Sequence, residues 1–342
     1  MEPISRKPSR GRISRRQFLA LAAAGGAAAA TGVSLVVSRR PVYRAEIFIL
    51  KALAYEQELT SPLRRGLAEL GVTAAQIQGK RILLKPNLVE PHRGAAHVNT
   101  HPLVVRAAVE AFLGLGAAAV MVAEGSGHRR DTHLILEESG FADVLAEDRI
   151  RFFDLNRSDV FVMENRGKQT GLSHLVLPRE LLLADIIVSM AKMKTHHWVG
   201  ATLSMKNLFG VMPGGYYGWP KNVLHKAGIP GCILDINATV RPQLAIVDGI
   251  VGMEGDGPIM GEPVAAGVLV LGRSLPAVDA TCARIMGIDP LKMPYLKRAG
   301  ELLGPIDARE IAQRGERIDA VRRDFRLLDQ IPAQQGLRLV RI

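Results

Sequence analysis

Three lysines and two histidines fall within fifteen residues: Lys192, Lys194, His196, His197 and Lys206. An amine held among apolar groups loses its proton readily and can serve as base or nucleophile. An imidazole can be base, proton donor or metal ligand at neutral pH. Met190, Met193, Trp198, Met205 and Phe209 are interleaved with these charges, so the stretch reads as a cleft wall rather than a solvated loop. Lys206 is the first candidate for nucleophile or base, with an exposed helix lysine as the ordinary alternative. His196 follows an apolar run and could be base, ligand or oxyanion donor. His197 would point elsewhere and reads as structural.

Three further polar clusters directly follow apolar runs. They are Lys85-Pro86-Asn87, Glu124-Gly125-Ser126-Gly127, and Asp248 with Glu254 and Asp256. Parallel strands would bring all of them to one sheet edge, where open α/β sheets bind their ligands. On that reading Lys85, Lys192 and Lys194 attract an anion, and Asn87, His101, Glu124 and Asn207 help line the cleft. His196 and Lys206 carry proton transfer or hold a cofactor, while Asp248 and Glu254 supply carboxylates. The Glu124–Gly127 turn could be an anion nest. There is no Walker or dinucleotide fingerprint.

The elements that must position these residues alternate between strand and helix. Strands are expected at Ala45–Leu50, Arg81–Leu84, Ala118–Ala123, Arg151–Leu155, Ile186–Val188, Gln243–Val247 and Ala266–Leu271. Helices are expected at Pro62–Leu70, Pro102–Leu113, Thr132–Ser139, Cys232–Ala238 and Pro276–Met286. Residues 157–173 read as a connection, and the last forty as charged helix with an edge strand at Leu337–Ile342. The pattern implies an α/β fold, a largely parallel sheet flanked by helices, with two lobes around a cleft as one variant.

The chain has 342 residues, 48% of them hydrophobic, and a formal charge of +11. The excess is local: residues 1–40 hold eight basic residues and one acidic, leaving the other 302 residues at +4. No basic stripe with interleaved aromatics occurs, so nucleic acid is not an expected partner. Residues 1–43 instead read as a targeting segment. Ser14-Arg15-Arg16-Gln17-Phe18-Leu19 resembles a twin-arginine export signal, followed by a weakly apolar Ala/Gly run. The translocation machinery is then a partner, and the product is periplasmic or membrane-tethered, with residues 44–342 as its α/β domain. Cys232 and Cys282 read as small core residues; two thiols cannot by themselves ligate an iron–sulfur cluster.

Several motifs together resemble the prokaryotic family catalogued as domain of unknown function 362. They are Lys85-Pro86-Asn87-Leu88, Thr100-His101-Pro102, Glu124-Gly125, Lys194-Thr195-His196, Lys206-Asn207, Asp248-Gly249 with Gly255-x-Gly257-Pro258, and Asp279 with Met286-Gly287-x-Asp289-Pro290. The likeness covers roughly residues 80–300 and implies the fold without an activity. Members are often accompanied by iron–sulfur modules, which implies a redox partner. A fainter likeness joins His196-x-x-Val199-Gly200, Lys206, Pro213-Gly214 and His225 to the nickel-pincer lactate racemases. It implies His196 and His225 as metal ligands and Lys206 as the attachment point of a nickel-containing organic cofactor. The glycine pair expected before that lysine is missing.

The expected function is therefore an exported enzyme acting on a small anionic ligand, a hydroxy or keto acid or a phosphorylated metabolite. Isomerase, racemase and oxidoreductase chemistries all suit such a cleft. The competing class is a non-catalytic periplasmic ligand-binding or redox-accessory protein.

Overall fold

Aliphatic and β-branched runs build one large sheet in a computed structural model that describes residues 43–127 and 131–340. The twin-arginine motif and the apolar run behind it lie outside those residues. The strands are β1 (Ala45–Lys51), β2 (Arg81–Lys85), β3 (Ala119–Glu124), β4 (Arg151–Asp154), β5 (Val160–Glu164), β6 (His174–Pro178), β7 (Ile186–His196), β8 (Gly200–Thr202), β9 (Leu244–Glu254), β10 (Glu262–Val264), β11 (Val268–Gly272) and β12 (Ile311–Gly315). Ten of them form a sheet ordered β12-β1-β11-β9-β7-β2-β3-β4, with β10 on β9 and β8 on β7.

Strands β9, β7, β2, β3 and β4 are parallel, as are β12 and β1; β11 runs antiparallel to both its neighbours. This is the mixed, largely parallel α/β architecture that the alternating pattern implies. Residues 43–342 form one compact unit, so the cleft lies along a sheet edge rather than between lobes. The chain lays down β2, β3 and β4 outward, then returns to the other side of β2 for β7 and β9. Strand order thus reverses between β2 and β7, the switch point where such sheets open a ligand crevice.

Both faces of the sheet are covered. Helices Thr60–Glu69 and Pro102–Gly114 pack Leu63, Leu67, Val105 and Phe112 onto one face, with Leu84, Val188, Met190, Leu244 and Ile246. Helices Ile229–Val240 and Leu275–Ile285 cover the other, with Leu83, Ala191, Met193 and Val270. Each such side chain removed from water contributes about 2 kcal/mol. Among the described residues no helix is long and apolar enough to cross a membrane.

Three expectations change. The strand at Ile186–Val188 continues to His196, because β8 folds back on it and pairs His196 with Gly200. Lys192 and Lys194 therefore sit on a buried strand, not a loop. The stretch 157–173 contributes β5 to a hairpin with β6. The tail is not mainly helical: Ile311–Gly315 pairs with β1, and among the described residues near Leu337 the one pairing is an isolated bridge between Arg338 and Ile288.

Candidate functional site

A cavity of about 260 Å³ opens at the carboxyl ends of β2, β3 and β7, at the switch point. Its floor is an ion pair. Lys85, the last residue of β2, donates to Glu124 Oε2 at 2.7 Å, Asn207 Oδ1 at 2.9 Å and the Pro86 carbonyl at 2.8 Å. All three N–H groups of the ammonium are used. Glu124, ending β3, also accepts from the amides of Leu88 and Gly125. Both side chains are buried. Gly210 passes so close that a Cβ there would land on Glu124 Oε1 and Lys85 Nζ, so only glycine closes this floor.

Lys206 faces the cavity from the one-turn helix Ser204–Asn207. Its amine has no hydrogen-bond or ion-pair partner among the described residues and lies 4.0 Å over the Phe209 ring. Burial, then the Lys85 charge, lowers its pKa from 10.5 to about 8. The helix beneath it is held by Asp279, which accepts from the amides of Ser204 at 2.8 Å and Met205 at 3.1 Å and from the Ser204 hydroxyl. Asp279 caps a helix start 75 residues away in sequence, and burial pushes its carboxyl up to about 7.

The two histidines are fixed as opposite tautomers. His196 Nδ1 accepts from the Trp198 amide at 3.0 Å, so its proton sits on Nε2. Burial and the neighbouring Lys206 charge keep this ring neutral, its pKa well below 6.5. His225 Nδ1 meets the Lys221 carbonyl at 3.0 Å; a carbonyl only accepts, so here Nδ1 carries the proton and Nε2 the lone pair. Trp198 packs its edge against His225, ring centroids 5.0 Å apart.

Two more lysines line the cavity. Lys194 donates to the carbonyls of Val98 at 2.8 Å and Pro258 at 3.0 Å. Lys221 donates to those of Gly125 at 2.7 Å and Phe209 at 2.9 Å, and burial lowers it to about 7. Among the described residues neither has a carboxylate partner, and each, when protonated, keeps one N–H beyond these bonds. Sequence reasoning missed Lys221, which reaches inward from a left-handed position (φ 68°) after Trp219-Pro220. Among the lining residues four lysines face a single carboxylate, Glu124.

Residues 82–284 match the family described as domain of unknown function (DUF362). A curated thylakoid-associated protein of Synechocystis sp. is 30% identical over 267 residues, covering 75% of this chain and 79% of that protein. The chain belongs to this family. Two solved structures are also similar at 14% identity. A Thermotoga maritima protein has a TM-score of 0.34, covering 68% of this chain and 59% of its own. The lactate racemase apoprotein of Thermoanaerobacterium thermosaccharolyticum has a TM-score of 0.37, covering 63% of this chain and 52% of its own. The chain thus spans a little over half the length of either structure.

The stretch shared with the DUF362 family includes every cavity-lining residue. It also includes candidates that the structure places elsewhere. Lys192 donates to Asp248 Oδ2 at 2.6 Å and to the Tyr55 hydroxyl at 3.0 Å, and the His101 amide donates to Asp248 at 3.0 Å. His101 stacks on Tyr55 at 3.7 Å and caps the helix Pro102–Gly114 through Nδ1, which burial suits by lowering its pKa to about 4. This cluster is not part of the cavity wall. Lys192 and Asp248 share the face of Val188, Met190, Leu244 and Ile246, and the pairing of β7 with β9 shifts register just beyond Lys192, before Lys194 and His196 line the cavity.

Glu254, expected to supply a catalytic carboxylate, instead accepts from the Arg326 amide at 2.9 Å, away from the cavity. Asp256 lies 3.6 Å from His197 at the surface. Asn87 does line the cavity, and its buried Oδ1 has no hydrogen-bond partner among the described residues, as is true of Ser126 Oγ. The Glu124–Gly127 turn is thus part of the wall.

The residues do not fit the metal site that the racemase likeness implies. His225 has the orientation of a ligand, but Nε2 of His196 holds its proton because Nδ1 is occupied by the Trp198 amide. No group of three His, Cys, Asp or Glu among the described residues is placed to hold a metal ion.

Proposed function

We propose that this cavity binds a small anion, a hydroxy or keto acid or a phosphorylated metabolite, and moves a proton on it. Lys194 and Lys221 would hold the anionic group through their remaining N–H groups, each when protonated. Burial and the Lys192 charge lower the Lys194 pKa well below 10.5, so the ligand's own negative charge would have to hold the proton there. Lys206 would be the base at the reacting carbon, and His196 Nε2–H the donor that steadies developing negative charge on oxygen. The observation that carries the reading is the Lys206 amine, without a polar partner among the described residues, facing a cavity beside a histidine fixed as a neutral donor. Asn87 Oδ1 and Ser126 Oγ add buried polar atoms that a ligand hydroxyl could satisfy.

The test has two steps. Lactate, pyruvate, glycerate and 3-phosphoglycerate are screened by thermal shift against the full chain and against Lys206→Ala and Lys221→Ala. At least one should stabilise the wild type, with that effect reduced in Lys206→Ala and lost in Lys221→Ala. The stabilising ligand is then incubated in deuterium oxide and its carbon-bound proton followed by NMR. Exchange that depends on Lys206 supports the enzyme; binding without exchange supports the accessory protein instead. If no anion stabilises the wild type, the cavity reading fails in both forms.

We also infer export, supported by Arg15-Arg16 ahead of an apolar run and by a body whose charge is nearly balanced. A relative named as thylakoid-associated is in keeping with a membrane-adjacent setting. Arg15→Lys with Arg16→Lys should leave a folded protein in the cytoplasm, and unchanged export of that variant defeats the assignment.

A further inference from the structure

A larger cavity, about 640 Å³, lies at the opposite edge of the sheet. Arg44 enters it just before β1, Arg241 just before β9, Arg273 just after β11, and Arg166 from the turn after β5. No Asp or Glu lines it. Among the described residues Arg44 alone of the four meets a carboxylate, Glu310 at 3.0 Å. Arg273 meets the neutral amide of Gln76 at 3.3 Å, and Arg241 the Ala238 carbonyl at 3.2 Å. The Arg166 guanidinium has no hydrogen-bond or ion-pair partner among the described residues. Four guanidinium groups around one hollow raise its potential well above that of bulk solvent.

Two further observations point to a ligand. The eleven-residue helix Leu275–Ile285 begins at this cavity, and its N-cap Ser274 makes no capping bond; Ser274 Oγ is buried and unpartnered. Such a helix start favours negative charge. Asn237, only 7% exposed, also lines the cavity. Its Nδ2 donates to Met205 at 3.0 Å and Ile233 at 2.7 Å, which fixes the amide and leaves Oδ1 as an acceptor with no partner. An anion that carries no proton would satisfy the arginines but not that acceptor, which needs a hydroxyl donor. Leu234, Leu275 and Leu303 add apolar wall.

We propose that this cavity binds an organic phosphate. The phosphate sits between the arginines and the start of the Leu275–Ile285 helix, and a hydroxyl of its organic body donates to Asn237 Oδ1. Arginine suits phosphate because its planar fork makes paired, charge-assisted bonds. The volume lies in the usual range for metabolite sites. This site is independent of the Lys206 cavity.

Calorimetric titration of the full chain with adenosine 5′-monophosphate and with glucose 6-phosphate tests it, at low ionic strength. At least one should bind with Kd below 1 mM, on the order expected for a few phosphate contacts. Inorganic phosphate should compete, and the parent adenosine or glucose should not bind. Arg241→Gln with Arg273→Gln should weaken binding about tenfold or more, a loss of ~1.4 kcal/mol or more. Both side chains are exposed, so circular dichroism should show the fold retained. Lys206→Ala should bind as the wild type does. Failure of both phosphates to bind, equal binding of the phosphate-free parents, or binding unaffected by the arginine changes would overturn the proposal. So would binding lost in Lys206→Ala but kept in the arginine variant.

Discussion

Asn207 grips Lys85 at both ends: Oδ1 accepts from Nζ at 2.9 Å, and Nδ2 donates to the Lys85 carbonyl at 3.0 Å. The same Nδ2 also reaches Ser189 Oγ on β7 at 3.0 Å. One amide thus ties the helix Ser204–Asn207 to both strands of the switch point and sets where the neighbouring Lys206 amine can be.

This grip makes Lys85 more costly to remove than a packed side chain. Lys85→Met leaves the buried Glu124 carboxylate and Asn207 Oδ1 without their donor. Breaking a buried pair in this way costs about 3–5 kcal/mol. Urea unfolding should show that loss, and Lys85→Met combined with Glu124→Leu should recover part of it. A single-variant loss below ~1 kcal/mol would mean that Glu124 is protonated or hydrated rather than paired.

Much of this site was legible in the sequence, and the failures have two physical sources. Lys85, Asn87, Glu124, Lys194, His196, Lys206, Asn207 and His225 all line the cavity, because a polar residue at the carboxyl end of a parallel strand has one edge to occupy. Lys192 and Asp248 also follow apolar runs. They are displaced because β7 and β9 run on for eleven residues each. Alternation up to the register shift between Lys192 and Lys194 turns these two to the opposite face, whereas Lys194 and His196 lie beyond that shift. Continuous burial hides that alternation, since a strand covered on both faces shows no polar rhythm. Lys221 carried no local signal. It enters through a left-handed residue after an irregular loop, which composition does not reveal.

Asp279 should govern the cavity from a distance. Asp279→Ala leaves three donors on Ser204 and Met205 unpaired, at a cost of about 2–4 kcal/mol. The pH dependence has a defined sign. The folded carboxyl at about 7 lies above its ordinary 3.8, so the folded state binds the extra proton between those values. Its contribution is fully present below about pH 4 and is lost as pH rises through 7. Urea titrations at pH 5 and pH 8 should show that difference in the wild type and a smaller one in Asp279→Asn. An unchanged slope in the variant would assign the effect to another group.

His196 separates structure from function cleanly. Asparagine places an acceptor oxygen near the position of Nδ1, so His196→Asn should keep the Trp198 amide bond and lose less than ~1 kcal/mol of stability. It removes Nε2–H, and with it the proposed donor, so isotope exchange on the bound anion should fall at least tenfold while binding persists. His196→Ala should lose both the exchange and about 1 kcal/mol more stability. Exchange that survives in the asparagine variant removes His196 from the mechanism.

Lys206 should be the amine that titrates near neutrality at the reacting position. Its folded pKa of about 8 lies below the ordinary 10.5, so the unfolded chain binds the proton more tightly. Stability should therefore rise with pH from about 8 to 10.5, and below 8 the buried charge should weigh against folding. Anion affinity should run the other way, falling near pH 7 as Lys221 loses its proton and again as pH passes 8 and the Lys206 ammonium is lost. Nucleophilic reactivity should climb over the same interval. Reductive ¹³C-methylation followed by NMR reads the amine directly: one dimethyl-lysine resonance should titrate near 8 and be absent in Lys206→Gln. A second, from Lys221 near 7, should remain in that variant. Lys206→Gln should also abolish the fall in anion affinity at pH 8. If the resonance lost in Lys206→Gln titrates above 10, the amine is solvated and cannot serve as the base at pH 7.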